Sequence, residues 1–175
     1  MHAAADPGGG PPVVISGLRI PDVELFDQNG KPVRFYSDVV KGRVVAINTI
    51  FTTCTTICPL MGANFAKLGK LLDRKDGKLS LVSISIDPVA DTPERLKEWS
   101  GAFGQTGVEW TLLTGSKANV DTVLKALQVF TADKQDHAPI VLIGGDGAGD
   151  WARASALLPP TKLAELIQAR LAARK

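Results

Sequence analysis

The chain has 175 residues, 45% of them apolar and 22% charged, with a formal net charge of +2. That length suits one domain around a single sizeable core, and the near-neutral charge with few aromatics excludes the basic, base-stacking surface of a nucleic-acid binder. No apolar run approaches the roughly 18 residues of a membrane span, and two cysteines exclude a disulfide-rich scaffold without excluding an oxidising compartment.

Residues 1–12, "MHAAADPGGGPP", read as a flexible tether ahead of one domain over 13–175. They lack the basic stretch and apolar run of an intact signal peptide. In "VELFDQNGKPVRFY", Val23, Leu25, Val33 and Phe35 alternate around Asn29-Gly30, which predicts a hairpin. "GRVVAINTIF" is β-branched and almost without polar residues, the pattern of a central strand buried on both faces. The spacing of Phe65, Leu68, Leu71 and Leu72 predicts a helix over 57–72, and "KLSLVSISI" a second buried strand.

"DTPERLKEW" reads as a helix start. Asp91 and Thr92 can both cap, and Pro93 suits the first helical position. "WTLLTG" is a third strand, "ANVDTVLKALQVF" a helix with Val120, Val123, Leu124 and Leu127 in one stripe. "APIVLIGGDGAGDWARA" reads as strand, glycine-rich turn and strand, and "TKLAELIQARLAARK" as a closing amphipathic helix with a basic last turn. Strands that alternate with helices predict an α/β fold, a sheet with helices on both faces. Ligand sites in such sheets lie at the carboxyl ends of the strands.

Both cysteines, Cys54 and Cys58, fall where the first central strand gives way to its helix, in "FTTCTTICPLM". Four residues apart on a helix, side chains are about 5–6 Å apart between Cβ atoms, and modest unwinding brings them within disulfide range. A helix N-terminus lowers thiol pKa, so a thiolate near neutral pH is expected. Two such groups can exchange disulfides or grip a soft metal ion. Outside the tether, His137 in "KQDHAPIVLI" is the one histidine. Two thiolates and an imidazole suit copper; structural zinc would want a fourth ligand. Met61, Trp99, Trp110 and Trp151 read as core residues.

Three stretches resemble the Sco/SenC family of thioredoxin-like copper-binding proteins: "FTTCTTICP", "SISIDPVADTPERL" and "DHAPIVLIGGDG". The resemblance spans roughly residues 20–170. It implies a thioredoxin-like fold, a central mixed sheet flanked by helices with an N-terminal β-hairpin. It implies a copper ion, Cu(I) or Cu(II), held by Cys54, Cys58 and His137, with Asp87 and Asp136 in support. The implied task is copper delivery to the binuclear copper site of cytochrome c oxidase, its partner being the copper-site subunit or another copper or thiol protein. The implied setting is the bacterial periplasm or cell envelope, as a monomer anchored by a segment outside this sequence. The alternative reading of the same residues, second to copper delivery, is a thiol–disulfide oxidoreductase with Cys54 as nucleophile and Cys58 as resolving thiol. The chain departs from the family pattern at Thr55, where proline usually follows the first cysteine, and at Ala90, where arginine is usual. It also departs at Ala138-Pro139, in a run one residue shorter than expected.

Overall fold

The computed structural model describes residues 12–55, 57–73, 76–104, 106–133, 139–145 and 150–173. The chain forms β1 (Val13–Ile15), β2 (Glu24–Phe26), β3 (Pro32–Arg34) and a π-helical turn (Phe35–Val40). Then come β4 (Val44–Ile50), α1 (Ile57–Leu72), β5 (Leu79–Ser85), α2 (Pro93–Gly101) and β6 (Glu109–Leu113). The chain closes with α3 (Lys117–Ala126), β7 (Ile140–Gly145), β8 (Trp151–Ser155) and α4 (Pro160–Ala173).

Six strands make one sheet in the order β1-β8-β7-β4-β5-β6. β4, β5 and β6 run parallel, and β7, β8 and β1 are added antiparallel. This is the mixed α/β, thioredoxin-like architecture that the sequence led one to expect. All seven residues of β4 and all seven of β5 are buried, because both faces of the sheet are covered. Alternate residues serve opposite faces. Val44, Ala46 and Ile50 join Met61, Phe65 and Leu68 of α1 and Leu163 and Ile167 of α4. Val45 and Ile47 join Val120, Val123 and Leu124 of α3, with Leu25 and Phe35 from the hairpin side.

The hairpin forms as expected, with Leu25 opposite Val33. It docks on the end of β6, where Phe26 and Thr114 exchange two backbone hydrogen bonds of 2.8 and 2.9 Å. Two elements were not foreseen. β1 is three residues long and is held by pairing with β8, Val13 opposite Arg153. The π-helical turn follows β3 directly, where the sequence pattern read only as strand.

The three tryptophans are packing residues. Trp110 stands edge-on to Phe65 and to Trp99, with ring centroids 6.2 and 6.0 Å apart, and Trp99 is 4.9 Å from Phe103. This cluster seats α1 against α2. It needs Gly62 in α1, where an added Cβ would lie 2.6 Å from a Phe103 ring carbon. Met61 is buried in the same core.

Candidate functional site

β4 stops at Ile50 and the chain turns at once, the Cys54 amide donating to the Phe51 carbonyl at 3.1 Å. α1 opens at Ile57, so Cys54 lies in the turn and Cys58 is the second helical residue. Pro59 follows in the first turn, where a helix needs no amide donor. The turn is exposed at Thr53 and Thr55, but the sulfurs are not. Cys54 is 9% exposed and Cys58 is fully buried among Met61, Phe65 and Ile50. Both are thiols rather than a disulfide.

The two side chains are hydrogen-bonded to each other, and Cys58 is far from the thiolate that a helix start alone would favour. Burial pushes its thiol up to about 12. The hydrogen bond with Cys54 pushes the same way, as do the charges of Cys54 and Asp91, while a backbone hydrogen bond with Phe51 opposes them. Tertiary burial therefore outweighs the helix terminus at this position, which corrects the expectation of an ionised thiol for Cys58. At neutral pH Cys58 is a proton-bearing thiol.

The Asp91 carboxylate underpins this turn. It is fully buried. It accepts from the Thr52 amide at 3.2 and 3.3 Å, from the Thr52 hydroxyl at 2.5 Å and from the Ser85 hydroxyl at 2.7 Å. Its backbone carbonyl accepts from the Thr114 hydroxyl at 2.7 Å. The sequence reading offered Asp91 as a helix cap. Thr92 takes that role, its side chain accepting from the Arg95 amide. Two capping residues side by side are one too many, and that surplus was the signal that Asp91 had other work.

Asp87 is half-buried in the turn after β5. Its amide donates to Ser85 Oγ at 3.1 Å, and its carbonyl accepts from the amides of Ala90 and Asp91. Its backbone thus shapes the turn that carries Asp91 inward. His137 and Asp136 lie outside the described residues. Among the described residues, no three His, Cys, Asp or Glu side chains gather as a metal site, so the described part of the site is a two-sulfur donor set. Beside it runs a groove of about 330 Å³ lined by Thr52, Arg95, Glu98 and Trp99.

Residues 19–149 match the SCO1/SenC family model. The chain belongs to the SCO1/SenC family. It is 31% identical over 137 residues to the SCO1 protein homolog of Bacillus subtilis, covering 72% of this chain and 70% of that one. Across the curated relatives it matches, the chain spans between 37% and 70% of their length. A SCO1/SenC family lipoprotein from Bacillus anthracis superposes with a TM-score of 0.75 at 27% identity, over 91% of this chain and 97% of that one. The fold is shared also with Bradyrhizobium japonicum ScoI, solved with copper bound, at a TM-score of 0.68 and 24% identity, over 86% of this chain and 98% of that one.

Proposed function

We propose that this SCO1/SenC chain carries copper, holding it through Cys54, Cys58 and His137 and passing it to the copper-site subunit of cytochrome c oxidase. The observation that carries this reading is the hydrogen-bonded thiol pair at the carboxyl end of β4. Paired sulfurs are the donors that soft copper selects. The pair is graded in depth, Cys54 at the edge and Cys58 fully buried. That grading suits a carrier, because a partner's ligand can displace the outer sulfur first while the inner one keeps its hold. The cargo is Cu(I) or Cu(II).

The third ligand rests on the family motif. In its favour, Pro139 leads into β7, whose Val141 pairs with Asn48, so the chain enters β7 beside the end of β4 that bears the cysteines. His137 stands two residues before Pro139. Asp87 and Asp136 are assigned as supporting acids on the same basis. The protein works as a monomer in the bacterial envelope, tethered to the membrane.

The same thiol pair favours a second reading, thiol–disulfide exchange. An outer sulfur that attacks and an inner one that resolves is the arrangement such exchange requires. The two activities are compatible, because oxidation of the pair would release the metal.

Copper per chain, measured by elemental analysis after gel filtration, tests the carrier reading. The reduced protein should hold one copper; the oxidised protein and the double variant Cys54→Ser/Cys58→Ser should hold little, since neither offers the two thiolates the site needs. Equal uptake by all three would refute it. His137→Ala separates the readings: it should weaken copper binding strongly and shift the Cu(II) spectrum while exchange with a small disulfide continues. An unchanged affinity and spectrum would remove His137 from the ligand set and move the oxidoreductase reading ahead.

A further inference from the structure

We propose that Asp91 is a positioning residue for the cysteine pair, its buried carboxylate pinning Thr52, two residues ahead of Cys54, to the carboxyl end of β5. The inference deepens the function above and rests on its premise that Cys54 and Cys58 act as a pair.

The geometry is that of a clamp. Asp91 is fully buried, and a buried carboxylate is tolerated only when several donors satisfy it. Here the donors come from two strand ends. Thr52 supplies its amide and its hydroxyl from the turn after β4, and Ser85 supplies its hydroxyl from the last residue of β5. Asp91 is itself fixed from behind, because Thr114, at the end of β6, holds its carbonyl. The ends of three neighbouring parallel strands thus converge on one residue, two on its carboxylate and one on its backbone carbonyl. The turn they secure is short, and Cys54 lies two residues beyond the clamped threonine. Closing a disulfide demands sulfurs aligned within narrow limits, and closing rates fall when reacting groups are loosely held. The charge of Asp91 also reaches Cys58, which places the carboxylate in the field of the pair as well as beneath its turn.

The clamp is readable in the two steps of exchange with oxidised glutathione. In the first, the Cys54 sulfur displaces one glutathione thiol and forms a mixed disulfide. In the second, the Cys58 sulfur displaces the other glutathione and closes the intramolecular disulfide. Two electrons and two protons leave the protein and appear in two glutathione thiols. Thr52→Val removes the hydroxyl arm and leaves the carboxylate; Thr52→Ser keeps the arm. We expect Thr52→Val to slow the closing step about threefold to tenfold with the first step unchanged, and Thr52→Ser to close within about twofold of the parent. Asp91→Asn keeps the shape but cannot satisfy every donor, so it should slow closing at least as much as Thr52→Val. A loss of stability alone would not split the two steps in this way.

Equal closing rates in Thr52→Val and Thr52→Ser would overturn the proposal, as would a folded Asp91→Asn that closes like the parent. Failure of the parent itself to close a disulfide would overturn it too. If Asp91→Asn does not fold, the threonine pair decides alone. The assay contains no copper, so a chain that takes up no copper would refute the copper reading and leave this inference standing.

Discussion

Two strand-to-helix junctions lie side by side at the carboxyl edge of the sheet, and they are built on different principles. The β5–α2 junction is built largely from local contacts. The Asp87 carbonyl accepts two amides, Thr92 caps the helix, and Pro93 fills the first helical position. The β4–α1 junction, which carries the cysteines, is secured from outside. Among the described residues its turn carries the local backbone bond of Cys54 to Phe51, and its threonine is held by an acid from the other junction. A stable junction lends an anchor to a reactive one. The reactive one is thereby left with side chains chosen for chemistry rather than for turn formation.

The largest effect should come from cutting that loan. Asp91→Ala strips the acceptor from the amide and hydroxyl of half-buried Thr52 and from the hydroxyl of buried Ser85. Unsatisfied buried donors cost about 1–3 kcal/mol each before water relieves some of them, so a net loss of about 2–4 kcal/mol is expected. Denaturant midpoints at neutral pH would measure it. A loss below about 0.5 kcal/mol, the range of ordinary surface substitutions, would mean that the clamp bears no load.

The contrast between the junctions also explains what was legible in the sequence. The β5–α2 junction announced itself, because caps and prolines act over three or four residues. Helix 57–72 and the strands β4 and β5 were equally plain, being long and uniformly patterned. The hairpin was carried by Asn29-Gly30. β1 was not visible, since three residues hold no periodicity and its partner β8 lies more than a hundred residues away. At the cysteines, position and pairing were readable, but the state of Cys58 was not. A local rule, the helix terminus, argued for a thiolate. Burial beneath the turn, known only once the chain is folded, reversed the sign. Asp91 was misjudged for the same reason: its partners at Thr52 and Thr114 are distant in sequence.

The reversal at Cys58 sharpens the comparison through pH. Its folded value is raised from 9.0 to about 12, so the unfolded chain gives up this proton first. The stability that the buried neutral thiol contributes is therefore complete below about 9 and is lost as pH climbs from there toward 12. Other groups titrate in that window, so the informative quantity is a difference. The parent should lose more stability between pH 8.5 and 10.5, a window of about two units, than Cys58→Ser does, read as the shift in urea midpoint. Parallel losses would place Cys58 nearer the surface than its burial indicates. The same proton must leave before the sulfur can ligate, so apparent copper affinity should rise with pH, by about tenfold per unit from this thiol alone.

The smallest effect belongs to the neighbour of Asp91. Thr92 accepts hydrogen bonds from the Arg95 and Leu96 amides, and among the described residues none of its hydrogen bonds reaches the cysteine turn. Thr92→Ala should cost about 1 kcal/mol, the usual worth of a helix cap, because one amide at the start of α2 loses its partner. The loss should be partly relieved by water, since Thr92 is exposed and can be hydrated where Asp91 cannot. Pro93 and the Asp87 turn remain, so α2 keeps its start. Thiol chemistry should be untouched: exchange with oxidised glutathione should proceed at the parent rate in both steps. The two adjacent substitutions thus separate a cap from a clamp. If Thr92→Ala slowed disulfide closure as Asp91→Asn is expected to, the two junctions would be one cooperative unit. The anchoring of the cysteines would then lie in the whole β5–α2 turn rather than in a single carboxylate.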